Sequence, residues 1–208
     1  MLRNGVKNSR FQCIILTISS ALWYYKIYNK DSYTLLRYMK RGIKMSADIT
    51  AIILTKNEEV NIGDCIESIK KVVKRIVVID SYSTDKTIEI AKKYGAEVYQ
   101  HSFENYAKQY NYGVEVARIK TIWTLRIDAD ERFTPDSAKE LEKICNANIK
   151  TNVNGIILRF KKNFLGKDLY HGGVYPWKKM NCYKTKYGSI ENRNMDEHII
   201  LSSGKTIE

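Results

Sequence analysis

Apolar residues are grouped in two alternating patterns through most of the chain. Short runs rich in β-branched residues predict buried strands, and the segments between them show helical spacing or helix-ending residues such as Gly95. The predicted strands are residues 49–54, 75–79, 96–100 and 121–127. The predicted helices are residues 59–71, 85–94, 106–118 and 135–146. This alternation predicts an α/β fold with a twisted, mostly parallel sheet and helices on both faces.

The alternation stops after Asn154. Two more strands are predicted, at residues 156–160 and 179–183, with a turn at Gly166 and a loop rich in Tyr, Trp and Gly between them. The sequence then ends without a closing helix. We therefore divide the chain into an extension, residues 1–46, and a folded domain, residues 47–208, which we expect to lack a C-terminal part.

Composition narrows the class of protein. The 208 residues suffice for one α/β domain, and the four cysteines are scattered without a CxxC pair, which fits a reducing cytoplasm. The net charge is +12, of which residues 1–46 carry +8 through nine Lys/Arg and one Asp. No helix-turn-helix, zinc-finger or RNP-type motif accompanies this charge, so we expect no nucleic-acid partner.

The basic extension contains an apolar stretch, residues 11–25. This stretch is shorter than the roughly 20 residues of a membrane span, and bulky residues follow it where a signal peptide needs small ones. Two interpretations stay open. The extension contacts anionic lipid, or translation starts at Met45 and residues 1–44 have no function.

Polar and acidic side chains follow three of the predicted strands. In an open α/β sheet, ligands bind beyond the carboxyl ends of the strands. Each residue alone has a structural explanation as a helix cap or a turn residue, but together they predict a binding site. The residues are Thr55, Asn57 and Glu58 after the first strand, Asp80 and Ser83 after the second, and Asp128 and Asp130 after the fourth.

Asp128 and Asp130 are the most informative pair. Two carboxylates one residue apart, directly after a strand, are suited to a hard divalent cation such as Mn²⁺ or Mg²⁺. Waters and substrate phosphates usually complete the ligands of such an ion, which favours a diphosphate ligand.

The segments ILTKNEE, VVIDSYSTDKT, YAKQYNYG and LRIDADE, in this order, resemble the family 2 glycosyltransferases of the GT-A fold. The resemblance covers about residues 48–200, and GGVYPWKKMNCYK and MDEHI are similar to the bacterial lipopolysaccharide-core and capsule enzymes. It implies inverting transfer of a sugar from a nucleoside-diphosphate sugar, a UDP-sugar above all. The implied acceptor is a saccharide or a lipid-linked saccharide of the cell envelope, used in the cytoplasm or at the inner face of its membrane.

The resemblance also implies roles for individual residues. Donor-binding positions are Thr55, Asn57, Glu58, Asp80, Ser83, Lys108, Gln109, Asn111 and Asp128. Asp130 and His198 would hold the metal, and Asp196 or Glu197 would be the catalytic base, with Asp196 slightly favoured. For Lys108, Gln109 and Asn111 an exposed helix face is the alternative. For residues 195–198 the alternative is a solvated acidic turn with a surface histidine. Tyr110 stands where the family often has Arg.

The same sequence segments argue against several other classes of protein. TKNEE contains no glycine, which argues against a dinucleotide oxidoreductase, and no P-loop motif is present. A haloacid-dehalogenase-type phosphatase would need its Asp-x-Asp on the first strand, which here ends in Thr-Lys-Asn. A sugar-nucleotidylyltransferase and a non-catalytic, membrane-associated binding protein stay open as alternatives.

Overall fold

A computed structural model describes residues 46–165, 167–173, 175–193 and 197–208. The predictions for residues 1–44, Gly166 and Asp196 therefore lie outside the described residues. The helices are α1 Ile62–Ile69, α2 Thr87–Lys93, α3 Tyr106–Ala117 and α4 Pro135–Ala147. The strands are β1 Ile49–Thr55, β2 Arg75–Asp80, β3 Glu97–Gln100, β4 Trp123–Asp128, β5 Val153–Phe160, β6 Lys162–Phe164, β7 Lys167–Leu169, β8 Trp177–Lys184, β9 Gly188–Ile190, β10 Ile199–Leu201 and β11 Lys205–Ile207.

Seven strands form one sheet in the order β11-β5-β8-β4-β1-β2-β3. β1 pairs in parallel with β2 and β4, β3 is parallel to β2, and β11 is parallel to β5. Within this sheet, β8 runs antiparallel to β4 and β5. β6 and β7 form a separate antiparallel hairpin, and β9 and β10 form another antiparallel pair. The register aligns Thr55 with Asp80 and Leu54 with Asp128, so three strand ends meet at one edge of the sheet. The predicted mostly parallel α/β sheet is confirmed.

The core lies on both faces of this sheet because alternate residues of a strand point to opposite sides. Ile53 of β1 packs with α1, α2 and α4, whereas Ile52 packs on the other face with α3. A Cβ added at Gly113 of α3 would come within 2.7 Å of Ile79 Cγ1, so α3 lies unusually close to the sheet. Helices on both faces are thus confirmed. None of the helices in the described ranges is long and apolar enough to span a bilayer.

Element boundaries differ from the sequence prediction by up to three residues. The helix predicted from residue 59 begins at Ile62, and the backbone N–H groups of Glu58 and Glu59 before it donate to the side chains of Thr87 and Asp85. The strand predicted from residue 179 begins at Trp177, which pairs with Phe160 of β5. The short strands β6, β7 and β9 to β11 were not predicted, since pairing partners rather than their own apolar patterns define them.

Candidate active site

A cleft of about 1160 Å³ opens at the carboxyl ends of β1 and β4. The start of β8 and residues 197–199 line its other side. Of the residues predicted from sequence, those that line the cleft are Thr55, Glu58, Gln109, Asp128, Asp130, Glu197 and His198. Those that do not line it are Asn57, Asp80, Ser83, Lys108 and Asn111. The structure thus brings together residues from opposite ends of the domain.

Asp80 is completely buried beneath the cleft, where it acts as a hydrogen-bond acceptor. It accepts from Thr55 Oγ1 at 3.0 Å, from the Ser83 backbone N–H at 2.8 Å and from Gln100 Nε2 at 3.3 Å. Ser83 Oγ also donates to Asp80 and accepts from the Asn57 N–H at 2.8 Å. Asp80 and Ser83 therefore fix the loop after β2 against the end of β1.

The loops after β1 and β2 are joined by further bonds, and we call residues 55–59 and 80–87 the loop wall. Asn57 has a left-handed backbone with φ 55°, and its Oδ1 accepts from the Thr84 N–H at 2.8 Å. Lys56 Nζ donates to the carbonyls of Ser81 and Tyr82 at 2.9 and 2.7 Å. The ammonium group of Lys56 is thus committed to the loop, and it holds Tyr82 at the cleft.

Helix α3 presents one of its three predicted residues to the cleft. Gln109 is buried, and its Nε2 donates to Ser81 Oγ at 3.0 Å while its Oε1 lies 2.8 Å from His101 Nδ1. Lys108 is exposed and paired with Glu104, and Asn111 is exposed. One residue of an α-helix corresponds to about 100° of rotation, so neighbours of Gln109 point away from it. Lys108 and Asn111 lie on an exposed face of the helix, and neither lines the cleft.

A cluster of acids follows β4. Asp128 and Asp130 line the cleft, and the Asp128 backbone N–H donates to Glu131 Oε2 at 3.0 Å. Burial, reinforced by the charge of Asp128, raises the pKa of Glu131 to about 8. Burial also raises the pKa of Asp128, although the nearby Arg126 opposes this shift. Such desolvated carboxylates favour the arrival of a cation.

Arg126, which the sequence analysis did not single out, lies among these acids. Its Nη2 donates to Glu197 Oε1 at 2.6 Å, and its Nε is 4.0 Å from Asp128 Oδ1. The Arg126 and Glu197 side chains are only 10% and 7% exposed. The guanidinium carbon lies 5.8 Å from the ring centroid of Tyr110, so a cation does lie beside the position where the family often has Arg. The sequence feature that could have identified Arg126 is a charged residue inside TLRI, part of a strand predicted to be buried.

The start of β8 adds aromatic and basic groups. Trp177 and Lys179 line the cleft, and the ammonium nitrogens of Lys162 and Lys179 lie 3.8 and 4.2 Å from the Trp177 ring centroid. The charge of Lys179 opposes the upward pKa shifts of Asp128 and Glu131. We call this side of the cleft the charged wall, comprising Arg126, Asp128, Glu197, His198, Trp177 and Lys179.

Three more aromatic residues line the cleft: Tyr82, Phe103 and Tyr106. They were not predicted from the sequence, since isolated aromatic residues form no recognisable pattern.

The acidic and histidine side chains of the cleft supply part of what a divalent cation needs. Among the described residues, no three His, Cys, Asp or Glu side chains converge closely enough to hold an ion by themselves. His198 is 70% exposed, and its Nδ1 lies 3.6 Å from Glu191 Oε2. Asp128, Asp130 and His198 nevertheless line one cleft, and carboxylate oxygens suit a hard cation that takes its other ligands from phosphate and water. The residues present fit such an ion.

This sheet, with its cleft at the carboxyl ends of the parallel strands, has the GT-A fold. The chain belongs to glycosyl transferase family 2, whose sequence model matches residues 50–200. An uncharacterized glycosyltransferase of Rickettsia bellii is 37% identical over 100 residues, which are 48% of this chain and 33% of the relative. The lipopolysaccharide core biosynthesis glycosyltransferase LpsC of Rhizobium meliloti is 34% identical over 90 residues, 41% of this chain and 32% of that protein.

Solved structures support the fold. The crystal structure of S. aureus TarS residues 1–349 aligns with a TM-score of 0.50 and 18% identity, covering 66% of this chain and 47% of that one. The chain spans about a third of the length of the curated relatives it matches.

Proposed function

We propose that the protein is a metal-dependent, inverting glycosyltransferase. It moves a sugar from a nucleoside-diphosphate sugar, a UDP-sugar above all, to a saccharide or lipid-linked acceptor in cell-envelope polysaccharide synthesis. The observation that carries the proposal is one cleft that joins Thr55 and Gln109 to Asp128, Asp130 and Glu197. Family membership favours transfer over nucleotidylyl chemistry, and the LpsC relative supports a cell-envelope product.

The loop wall holds the nucleoside in this proposal. Thr55, Glu58 and Gln109 offer polar groups to it, and Tyr82 offers a half-exposed ring that can stack on a base. Asp80 acts from below by fixing Thr55. Direct contact between Asp80 and a ribose hydroxyl requires the hydroxyl to replace one of its present donors, of which Ser83 Oγ is the nearest.

The metal would lie next to the charged wall, at the acids that follow β4. Asp130 and His198 would hold Mn²⁺ or Mg²⁺, with Asp128 supporting the ion or binding the ribose. When bound, the ion supplies Lewis-acid stabilisation of the leaving diphosphate. Arg126 Nε lies 4.0 Å from Asp128 Oδ1, so its charge stabilises the Asp128 carboxylate.

The catalytic base is proposed to be Asp196 or Glu197. Arg126 donates to Glu197 Oε1, which orients the carboxylate and leaves Oε2 to take the proton of the acceptor hydroxyl. Glu197 lines the cleft, whereas Asp196 lies outside the described residues. Paired variants therefore decide between them.

Turnover of UDP-sugars tests the proposal. The expected result is metal-dependent release of UDP with a panel of saccharide acceptors, and a product of inverted anomeric configuration by NMR. Binding of the donor without turnover would support the non-catalytic alternative. Consumption of a nucleoside triphosphate with a sugar phosphate would support the nucleotidylyltransferase.

A further inference from the structure

The hairpin β6–β7 carries the most exposed group of apolar side chains in the described residues. Phe164 is 63% exposed and Leu165, at the end of the hairpin, is 86% exposed. Neither residue belongs to a hydrophobic core cluster. The following segment exposes Leu169, Tyr170 and Trp177 as well. Adjacent exposed apolar residues of this kind mark a contact surface, whereas an isolated one such as Val60 needs no explanation.

Cations surround these apolar side chains. Residues 161–179 contain five lysines and one aspartate, a net charge of +4. Lys161 is paired with that aspartate, Asp168, at 2.6 Å, and Lys178 is paired with Glu208 at 2.9 Å. Lys162 and Lys179 lie over the Trp177 ring, and Lys167 is exposed directly after the turn. We call the described residues of 161–179 the hairpin patch.

The charge of the patch restricts what can cover it. A second copy of the chain that docked through the same patch would bring like charges face to face. The extension, residues 1–46, carries +8 and would also be repelled. The partner must therefore be anionic, and it must accept two large apolar side chains below its charged layer. An anionic lipid surface has both properties, since its phosphates lie directly above apolar chains.

We infer that the hairpin patch docks on an anionic lipid surface. Phe164 and Leu165 enter the acyl boundary, the lysines bind lipid phosphates, and Tyr170 and Trp177 lie at headgroup depth. Trp177 and Lys179 belong to the patch and to the cleft, so docking brings the cleft mouth to the lipid surface. This last step, which gives a lipid-linked acceptor access to the cleft, rests on the proposed function. The docking itself does not.

Vesicle sedimentation with the full chain tests the docking. Vesicles of phosphatidylglycerol and phosphatidylcholine should bind the protein, and pure phosphatidylcholine should bind it much more weakly. Phe164→Ser with Leu165→Ser should lower the partition coefficient about tenfold. Val60→Ser, at an 82% exposed apolar residue outside the patch, should leave it unchanged. Lys167→Gln should weaken binding more than Lys92→Gln, an exposed helical lysine elsewhere.

A fluorescence measurement keeps the test decisive if the extension also binds lipid. Leu165→Trp adds an indole at the end of the hairpin, and brominated lipids should quench its added emission. The indole added by Val60→Trp should not be quenched. Equal quenching of both, or unchanged binding in the double serine variant, would overturn the inference. Capture by an acidic protein with no vesicle binding would overturn it too. UDP-sugar hydrolysis in solution is independent of these outcomes, so failure of docking is distinguishable from failure of the proposed function.

Discussion

The two sides of the cleft are built in different ways. The loop wall is held by short hydrogen bonds between neighbouring loops, such as Asn57 Oδ1 to Thr84 N–H at 2.8 Å. In the charged wall, the guanidinium group of one side chain, Arg126, lies between the carboxylates of Asp128 and Glu197. In the loop wall, the stabilisation is therefore divided among many hydrogen bonds, each of which contributes little by itself. In the charged wall, the stabilisation depends on the single buried group of Arg126. A substitution of this residue should therefore lower the free energy of unfolding much more than a single substitution in the loop wall.

The largest expected effect is on catalysis, at the two candidate bases. Asp196→Asn and Glu197→Gln remove a candidate base while keeping its shape, so one of them should lower transfer by roughly 10²–10⁴-fold. Donor affinity, measured by calorimetry, should stay intact. Glu104→Gln, on the exposed Lys108 pair, is the matched control. If both carboxamide variants transfer sugar at near wild-type rates, the base lies elsewhere.

Arg126→Met should give the largest loss of stability. It leaves the buried Glu197 without its cation, which should lower the free energy of unfolding by about 3–5 kcal/mol. Chemical denaturation measures this. Adding Glu197→Leu should recover much of the loss, because an apolar pair no longer needs a cation. A single-variant cost under about 1 kcal/mol would contradict a concentrated role for Arg126.

On the loop wall, Asp80→Asn should have an intermediate effect. The amide keeps one acceptor oxygen but presents a donor to Thr55 or Ser83, so the free energy of unfolding should fall by about 1–3 kcal/mol. A double-mutant cycle with Ser83→Ala isolates their coupling. A loss as large as that of Arg126→Met would remove the contrast between the walls.

Asp130→Ala should weaken donor binding rather than stability. Calorimetry with UDP should show affinity lowered about tenfold or more, ~1.4 kcal/mol, and no longer raised by Mn²⁺. Chelator should have the same effect on the wild-type protein. His198→Ala should act in the same direction. Undiminished affinity in both chelator and Asp130→Ala would remove the metal from the proposal.

The smallest effect is expected at an exposed ion pair outside both walls. Arg75 lowers the pKa of Glu97 from its usual value of 4.5 through their hydrogen bond. The pair therefore contributes stability above about pH 4.5, and this contribution is lost as the pH falls through the lowered pKa. Because Glu97 is half exposed, Glu97→Gln should cost no more than about 0.5 kcal/mol at neutral pH. Thermal melts should show that the difference from wild type disappears in acid.

The repeating β-α units were predictable from local sequence. Apolar periodicity placed four strands and four helices, and the ends of β1, β2 and β4 carried the polar residues expected at a binding edge. Gly95 ended its helix with a φ of 87°, as the pattern indicated. These features depend on residues within a few positions of one another, so the sequence alone determines them.

The tertiary structure decided which of these residues face the cleft and what holds them. Asp80 is turned inward by Thr55 and Ser83, and Gln109 rather than Lys108 reaches the cleft. Arg126 and Glu197 are 71 positions apart, and no local pattern pairs them. Such contacts depend on strand order and register, which bring β4 beside β8 and the segment before β10. The sequence by itself therefore determined the units of the fold, and only their packing decided the charged wall.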